Sequence, residues 1–285
     1  MKKIKAHRVS RSVGGNLVLL VFLGILGAFM LLPMIYVVGN AFKPVSELYL
    51  FPPRILPQNW TVNNFLDLYN LVSELSMPLS RYMFNTILLT VVGTICQVVL
   101  SSLCAYSLAK VPFPGANGAF QMIVLSLMFS ASVTSVPQYI MLSKMNLYDT
   151  YWAMMLPALT TTLGLYLMKQ FLESSVPDAL MEAGRIDGAS ELRIFFDIVM
   201  PLLKPAWLTL IILSIQQLWN AQSSFTYSEI YKTLPQALHQ IVAGGISRIG
   251  VGGAVSLIMM AIPILTFVIS QSNIIETMGS SGMKD

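Results

Sequence analysis

Six stretches of this chain, Leu17–Val38, Thr86–Ala109, Ala119–Leu142, Tyr151–Met168, Pro205–Leu218 (reaching Asn220) and Val251–Ser270, contain no Asp, Glu, Arg or His. Each is about long enough to cross a hydrocarbon layer of about 30 Å, the fifth being the shortest. A backbone inside such a layer must satisfy its own hydrogen bonds, so runs of this length are read as helices. The expected fold is therefore an all-α integral membrane protein with six transmembrane helices. Composition agrees, with 55% hydrophobic and 11% charged residues and a mean hydropathy of +0.69 over 285 residues.

Charge placement orients the spans. The first run follows Lys2, Lys3, Lys5, Arg8 and Arg11, as a signal peptide would, but it is too long and lacks a small-x-small cleavage site, so a retained span is expected. Six spans put both termini on one side. Lys43, Arg54, Arg81, Lys144, Lys232 and Arg248 then lie on the other, leaving the majority of the 17 bases with the termini and with the loop between the fourth and fifth spans. The positive-inside rule makes that side cytoplasmic. The expected divisions are a basic tail, 1–16, a six-span domain, 17–271, and a C-terminal cytoplasmic tail, 272–285.

Several chemistries are disfavoured. Proton-coupled transporters and intramembrane metalloproteases need ionisable groups within their spans, and these runs lack them. A GxxxxGK[ST] phosphate loop is absent, so the chain is not expected to hydrolyse ATP. His7 and His239 fall in polar segments and read as solvated. No basic run with interleaved aromatics suggests nucleic acid. Cys96 and Cys104 are eight residues apart on one predicted helix, about 12 Å along its axis, too far for a disulfide, and read as packing residues. Gly24, Gly27 and Gly93 read as close-packing points between helices.

The largest polar interruption of the second half runs from about Lys169 to Lys204 and holds Glu173, Asp178, Glu182, Asp187, Glu191 and Asp197, six of the 13 acidic residues. This part is expected in water, as two short helices around an elbow. Ser174 or Ser175 suits a cap, Pro177 a first helical position and Asp178 the positive helix end, giving a helix from Asp178 to about Ile186. Asp187-Gly188 is the stop, because glycine accepts the left-handed conformation. Ser190 then caps a second helix, with Leu192, Phe195, Phe196 and Val199 as an apolar stripe opposite Glu191, Arg193 and Asp197; it is expected to lie along the membrane surface.

The order Glu182-Ala183-Gly184, three residues, Gly188, nine residues, Ile198-x-Met200-Pro201 resembles the EAA motif of binding-protein-dependent ABC importer permeases, E-A-A-x3-G-x9-I-x-L-P. Gly184 stands for the second Ala and Met200 for Leu. The resemblance implies that the first helix and its elbow, within 177–205, form a coupling helix docked into a cytoplasmic ATPase subunit. Glu182, Ala183, Gly184, Asp187 and Gly188 are then the coupling residues, with Glu182 the leading polar contact. Phe51-Pro52-Pro53, Asn59-Trp60-Thr61-x-x-Asn64-Phe65, Ala105-Tyr106-x-Leu108-Ala109-Lys110 with Phe113-Pro114-Gly115, and Trp219-Asn220 look like the carbohydrate-importer branch. Pro137 is expected to kink the third span, and Ser130-Ala131-Ser132 stands where that family often has a proline.

The implied assembly comprises a second permease subunit, similar but different, two ATPase subunits that bind ATP, and an extracytoplasmic solute-binding protein, in a bacterial inner membrane. No cofactor is expected in this chain. Asn85, Gln97, Gln121, Gln138, Gln216, Gln217 and Asn220 leave uncharged polarity inside the membrane, suited either to sugar hydroxyls or to bonding between helices. Gln217, Asn220 and Ser224, at about helical spacing, are the candidate substrate face. Ala221–Ile249 is too long for a minimal connection, and its Tyr227 and Tyr231 are candidate contacts for the binding protein, or interface anchors. The rival functions are a secondary transporter or channel acting without an ATPase, and a membrane enzyme.

Overall fold

A computed structural model of the protein describes residues 13–223, 225–245 and 248–281. Among them every regular element is helical. The chain divides into two compact units: one holds the described residues up to Tyr69 together with Gly245 and 248–257, the other Asn70–Gly244 and the residues from Ile258 onward.

In the first unit, α1 (Val13–Ala41) is an apolar helix whose side chains from Leu17 to Leu32 are all exposed, the arrangement of a helix bathed in lipid or covered by another chain. Gly24 and Gly27 consequently face open space within this chain, contrary to the close packing expected of them. The proline-rich stretch between α1 and α3 (Asn63–Ser73) is non-helical apart from the single turn α2 (Val45–Leu48), since proline disfavours a helix interior. Glu47 organises it: its carboxylate accepts hydrogen bonds from the amides of Gln58 and Asn59, both at 2.9 Å, and from Asn59 Nδ2 at 3.0 Å. Asn64, in the first turn of α3, is 1% exposed; its Nδ2 donates to the carbonyls of Ala41 (2.9 Å) and Lys43 (2.8 Å), satisfying acceptors at and just beyond the end of α1.

In the second unit the central element is α4 (Leu79–Lys110), longer at its start than the run Thr86–Ala109. It packs against α7 (Tyr151–Leu159), α8 (Thr162–Ser175), α12 (Lys204–Trp219) and α13 (Leu234–Val242). Gly93 does serve close packing here, since a Cβ there would stand 2.7 Å from Leu218 Cδ1. Asn85 and Gln97 are structural amides: Asn85 Nδ2 donates to the carbonyls of Ile230 (2.9 Å) and Lys232 (2.8 Å), and Gln97 Nε2 to that of Ala158 (2.7 Å). Cys96 is half-buried and Cys104 exposed, so the latter is no packing residue within this chain.

The six apolar runs do not all fold as single helices. Among the described residues three helical stretches are long and apolar enough to cross a membrane alone, Gly14–Ala41, Leu79–Lys110 and Ile249–Ile269, and a fourth candidate is the pair Glu191–Leu202 and Lys204–Trp219, bent by 81°. The third run is split into α5 (Ala116–Ser126) and α6 (Ala131–Lys144), with Ser130 extended between them; the break precedes Pro137, which lies inside α6. The fourth run breaks at Thr160 and Thr161, both extended, where β-branched side chains disfavour a helix. The broken ends are nevertheless satisfied, by Gln97 at the Ala158 carbonyl and by the Thr161 hydroxyl, which accepts from the Gly164 amide at 3.2 Å.

Candidate functional site

The polar loop begins later than its charge suggests. Lys169 is 7% exposed, pairs with Glu173 at 2.5 Å and lies over the Phe120 ring at 4.0 Å, so α8 continues through it to Ser175. Ser174 and Ser175 therefore end α8 instead of capping the next helix, and Pro177 takes the cap position itself. α9 runs Asp178–Ile186, as expected.

The inner row of α9 is held and its outer row is bare. Met181 is 2% exposed, and Gly184 packs so closely on Ile194 and Ile198 that the Cβ of the motif's alanine would meet them at 3.1–3.2 Å and require those side chains to give slightly. Glu182, Ala183, Ile186, Asp187 and Gly188 are exposed. The elbow closes with both bonds of a Schellman motif, Gly188 N to Arg185 O (3.1 Å) and Ala189 N to Gly184 O (3.0 Å), around Gly188 at φ +79°.

Beyond the elbow, Ser190 accepts from the Arg193 amide at 3.4 Å and caps α10 (Glu191–Ile194). The helix then passes through a π-helical turn, Phe195–Val199, and α11 (Met200–Leu202) before the bend into α12. Within this chain the expected stripe is divided. Ile194, Phe195 and Val199 are buried, whereas Leu192 and Phe196 are 63% and 53% exposed.

Two polar ties bind this loop to the end of α4. Lys110 Nζ donates to the Val176 carbonyl and to Asp178 Oδ1, both at 2.7 Å. Glu191 accepts from Arg185 Nε (2.6 Å) and from the hydroxyl of Tyr106 (2.6 Å), a ring 4% exposed that packs on Phe195 at 5.5 Å. The Arg185 guanidinium first, and then the Tyr106 hydroxyl, hold the Glu191 carboxyl below the usual carboxylate range. Its contribution is therefore complete at neutral pH and is lost only as pH falls below the ordinary carboxylate value. The sequence does not show these pairings, because they reach across a turn and between helices distant in sequence.

The candidate path residues are separated. A cleft of about 400 Å³ is lined by Gln217 together with Ser135, Gln138, Gln222, Ser223 and Phe225 among others, all uncharged. Asn220 is exposed away from this lining and donates to the Gln216 carbonyl at 3.0 Å. Ser224 lies outside the described residues. Of the added polar lining, Gln138 is among the amides expected inside the membrane, whereas Ser135, Gln222 and Ser223 carried no such expectation.

The segment after α12 is fastened, not loose. Asp149 accepts from the amides of Tyr227 (3.0 Å) and Ser228 (2.9 Å) and from the Ser228 hydroxyl. Burial pushes the Asp149 carboxyl up, but these bonds outweigh it and leave it below its ordinary value. Glu229 accepts from the Tyr82 hydroxyl at 2.8 Å and pairs with Lys232. Of the two candidate contact residues, Tyr227 is 66% exposed, while Tyr231 is half-buried with its ring against Tyr151 at 4.9 Å. Only Tyr227 presents a free face.

Comparison with known proteins accords with these features. A family model described as "Binding-protein-dependent transport system inner membrane component" matches residues 113–277. Protein LplC of Bacillus subtilis (strain 168) is 34% identical over 201 residues, covering 70% of this chain and 65% of that protein. The polygalacturonan/rhamnogalacturonan transport system permease protein YtcP of the same organism is 29% identical, covering 70% and 67%. The chain thus spans about two thirds of the length of these curated relatives. A solved bacterial ABC transporter involved in the import of the acidic polysaccharide alginate has a chain of the same fold, with TM-score 0.74, 21% identity, and coverage of 92% of this chain and 98% of that one. Because the family model spans more than half of the 285 residues, the chain belongs to the inner membrane components of binding-protein-dependent transport systems, the permease family of ABC importers.

Proposed function

We propose that this chain is one of two permease subunits in an ABC importer for a carbohydrate, with both termini cytoplasmic and the 177–205 loop docked on an ATPase subunit. ATP is bound by those partner subunits, and this chain performs no catalysis. A solute-binding protein on the outer face delivers the solute, and alternating access moves it through a path between the two permeases. The observation that carries this reading is α9: a helix locked along its inner row by Met181 and Gly184, with Glu182, Ala183, Ile186 and Asp187 bare on the other side. Carbohydrate is favoured by the amides and hydroxyls of the uncharged cleft, by the polysaccharide transport for which YtcP is named, and by the alginate import in which the solved transporter is involved.

The test is a cysteine at Ala183. In the assembled transporter it is expected to crosslink to the ATPase subunit; a chain that transports solute with no such crosslink, and with no ATPase present, would instead be the secondary transporter or channel. Within the cleft, Gln217→Ala is expected to raise the half-saturating solute concentration several-fold, since one neutral hydrogen bond is worth about 1 kcal/mol. Asn220→Ala, outside the lining, should leave it unchanged. Uptake kinetics in proteoliposomes check both, and equal behaviour of the two variants would remove Gln217 from the path.

A further inference from the structure

We infer that the Tyr106–Glu191–Arg185 cluster positions α9 against α4 and carries displacement of the loop into that long helix. The inference rests on the reading that α9 docks an ATPase. The chain itself does not join the two elements, since α4 ends at Lys110 and α9 begins at Asp178. Motion imposed on α9 therefore reaches α4 only through packing and through whatever bonds bridge them.

Two bridges exist, one at each end of α9. Lys110 meets Asp178 and the Val176 carbonyl at the start, and Tyr106 meets Glu191 at the finish, where Glu191 also holds Arg185 of the last turn of α9. Tyr106 and Lys110 are four residues apart and so share one face of α4. A helix pinned at a single point pivots, whereas one pinned at both ends moves with its anchor. The second pin is charge-assisted and short, with both of its distances at 2.6 Å. It is also preorganised: the π turn places Phe195, 1% exposed, against the Tyr106 ring, which fixes the direction of the hydroxyl. Such single π turns recur at functional sites because they re-aim side chains. On the other side, α4 packs against α7, α8, α12 and α13, so a displacement delivered to it is shared by most of the unit.

A purely stabilising role would raise the melting temperature without changing how much solute moves per ATP. The experiment uses the assembled transporter in proteoliposomes, with the Ala183→Cys crosslink to the ATPase as a readout of docking. Tyr106→Phe removes one hydroxyl from the cluster, and Glu191→Gln removes its charge while keeping its shape. With the crosslink retained, each is expected to lower solute transported per ATP hydrolysed by roughly tenfold or more, the scale of one hydrogen bond to a charged group. The double variant should fall no further than the worse single one, because the groups act as a unit. A retained crosslink with an unchanged transport-to-ATP ratio in both single variants would overturn the inference and leave the docking reading standing. Loss of the crosslink in the otherwise unaltered chain would overturn the docking reading and this inference with it.

Discussion

Replacing Gly188 by valine is expected to abolish solute transport while leaving the chain inserted and its helices formed. Gly188 sits at φ +79°, where a β-branched residue is strongly disfavoured, and its amide makes one of the two bonds that close α9. Nothing lies within 4 Å of where its Cβ would stand, so the cost is conformational and not steric crowding. Backbone strain of this kind costs about 1–3 kcal/mol, enough to open an exposed elbow but not to unfold a membrane domain. The opened elbow misdirects α9 and strains the contact between Arg185 and Glu191, on which the tie to α4 depends. Gly188→Asn is the control, since asparagine tolerates the left-handed region and should retain most activity. Solute-stimulated ATP hydrolysis in the reconstituted complex is the measurement; a valine variant equal to the parent would exclude the elbow from coupling.

Gly253→Val is expected to give the largest loss of stability. A Cβ at Gly253 would stand 2.9 Å from the carbonyl carbon and oxygen of Asn40 and 3.0 Å from the Ala41 amide nitrogen. These are backbone atoms at the end of α1 and cannot rotate aside. One turn earlier in α14 (Ile249–Ser281), Gly250 lies against Asn64, where a Cβ would come within 2.3 Å of Oδ1. Separating these surfaces also pulls Asn64 from the carbonyls of Ala41 and Lys43. Overpacking against side chains costs about 1–3 kcal/mol, and an unyielding backbone places this variant at the top of that range. Gly24→Val is the comparison, because Gly24 has open space around it. Thermal melting in detergent should fall by several degrees for Gly253→Val and little for Gly24→Val. Equal melting of the two variants would show that the α1–α14 contact is not tight.

What was legible in the sequence is what local chemistry decides. Apolar run length identifies a membrane protein, because the cost of burying an unsatisfied backbone in hydrocarbon leaves few options. Gly188 as a left-handed stop and Ser190 as a cap follow from single-residue conformational preference, and both occur where expected. The spacing around Glu182-Ala183-Gly184 pointed to the permease family to which the chain belongs. Run length could not reveal that the third and fourth runs break, because an apolar composition allows a helix without requiring it. At the break Thr160–Thr161 one freed carbonyl, that of Ala158, is met by Gln97, some sixty positions earlier. Nor does a period of 3.6 say which side chains of an apolar stripe are covered by the chain itself: Phe195 and Val199 are buried, while Leu192 and Phe196 are exposed.

The sequence by itself therefore determined the medium, the helical class, the elbow and the family, all of which depend on interactions within a few residues or with the solvent. Only the tertiary structure decided which amides bind helices and which line a cleft, what Gly184 packs against, and how Lys110, Tyr106, Arg185 and Glu191 meet. Those outcomes depend on pairs of groups separated by tens of residues, and a hydrogen bond depends on distance and direction that only the packed helices supply.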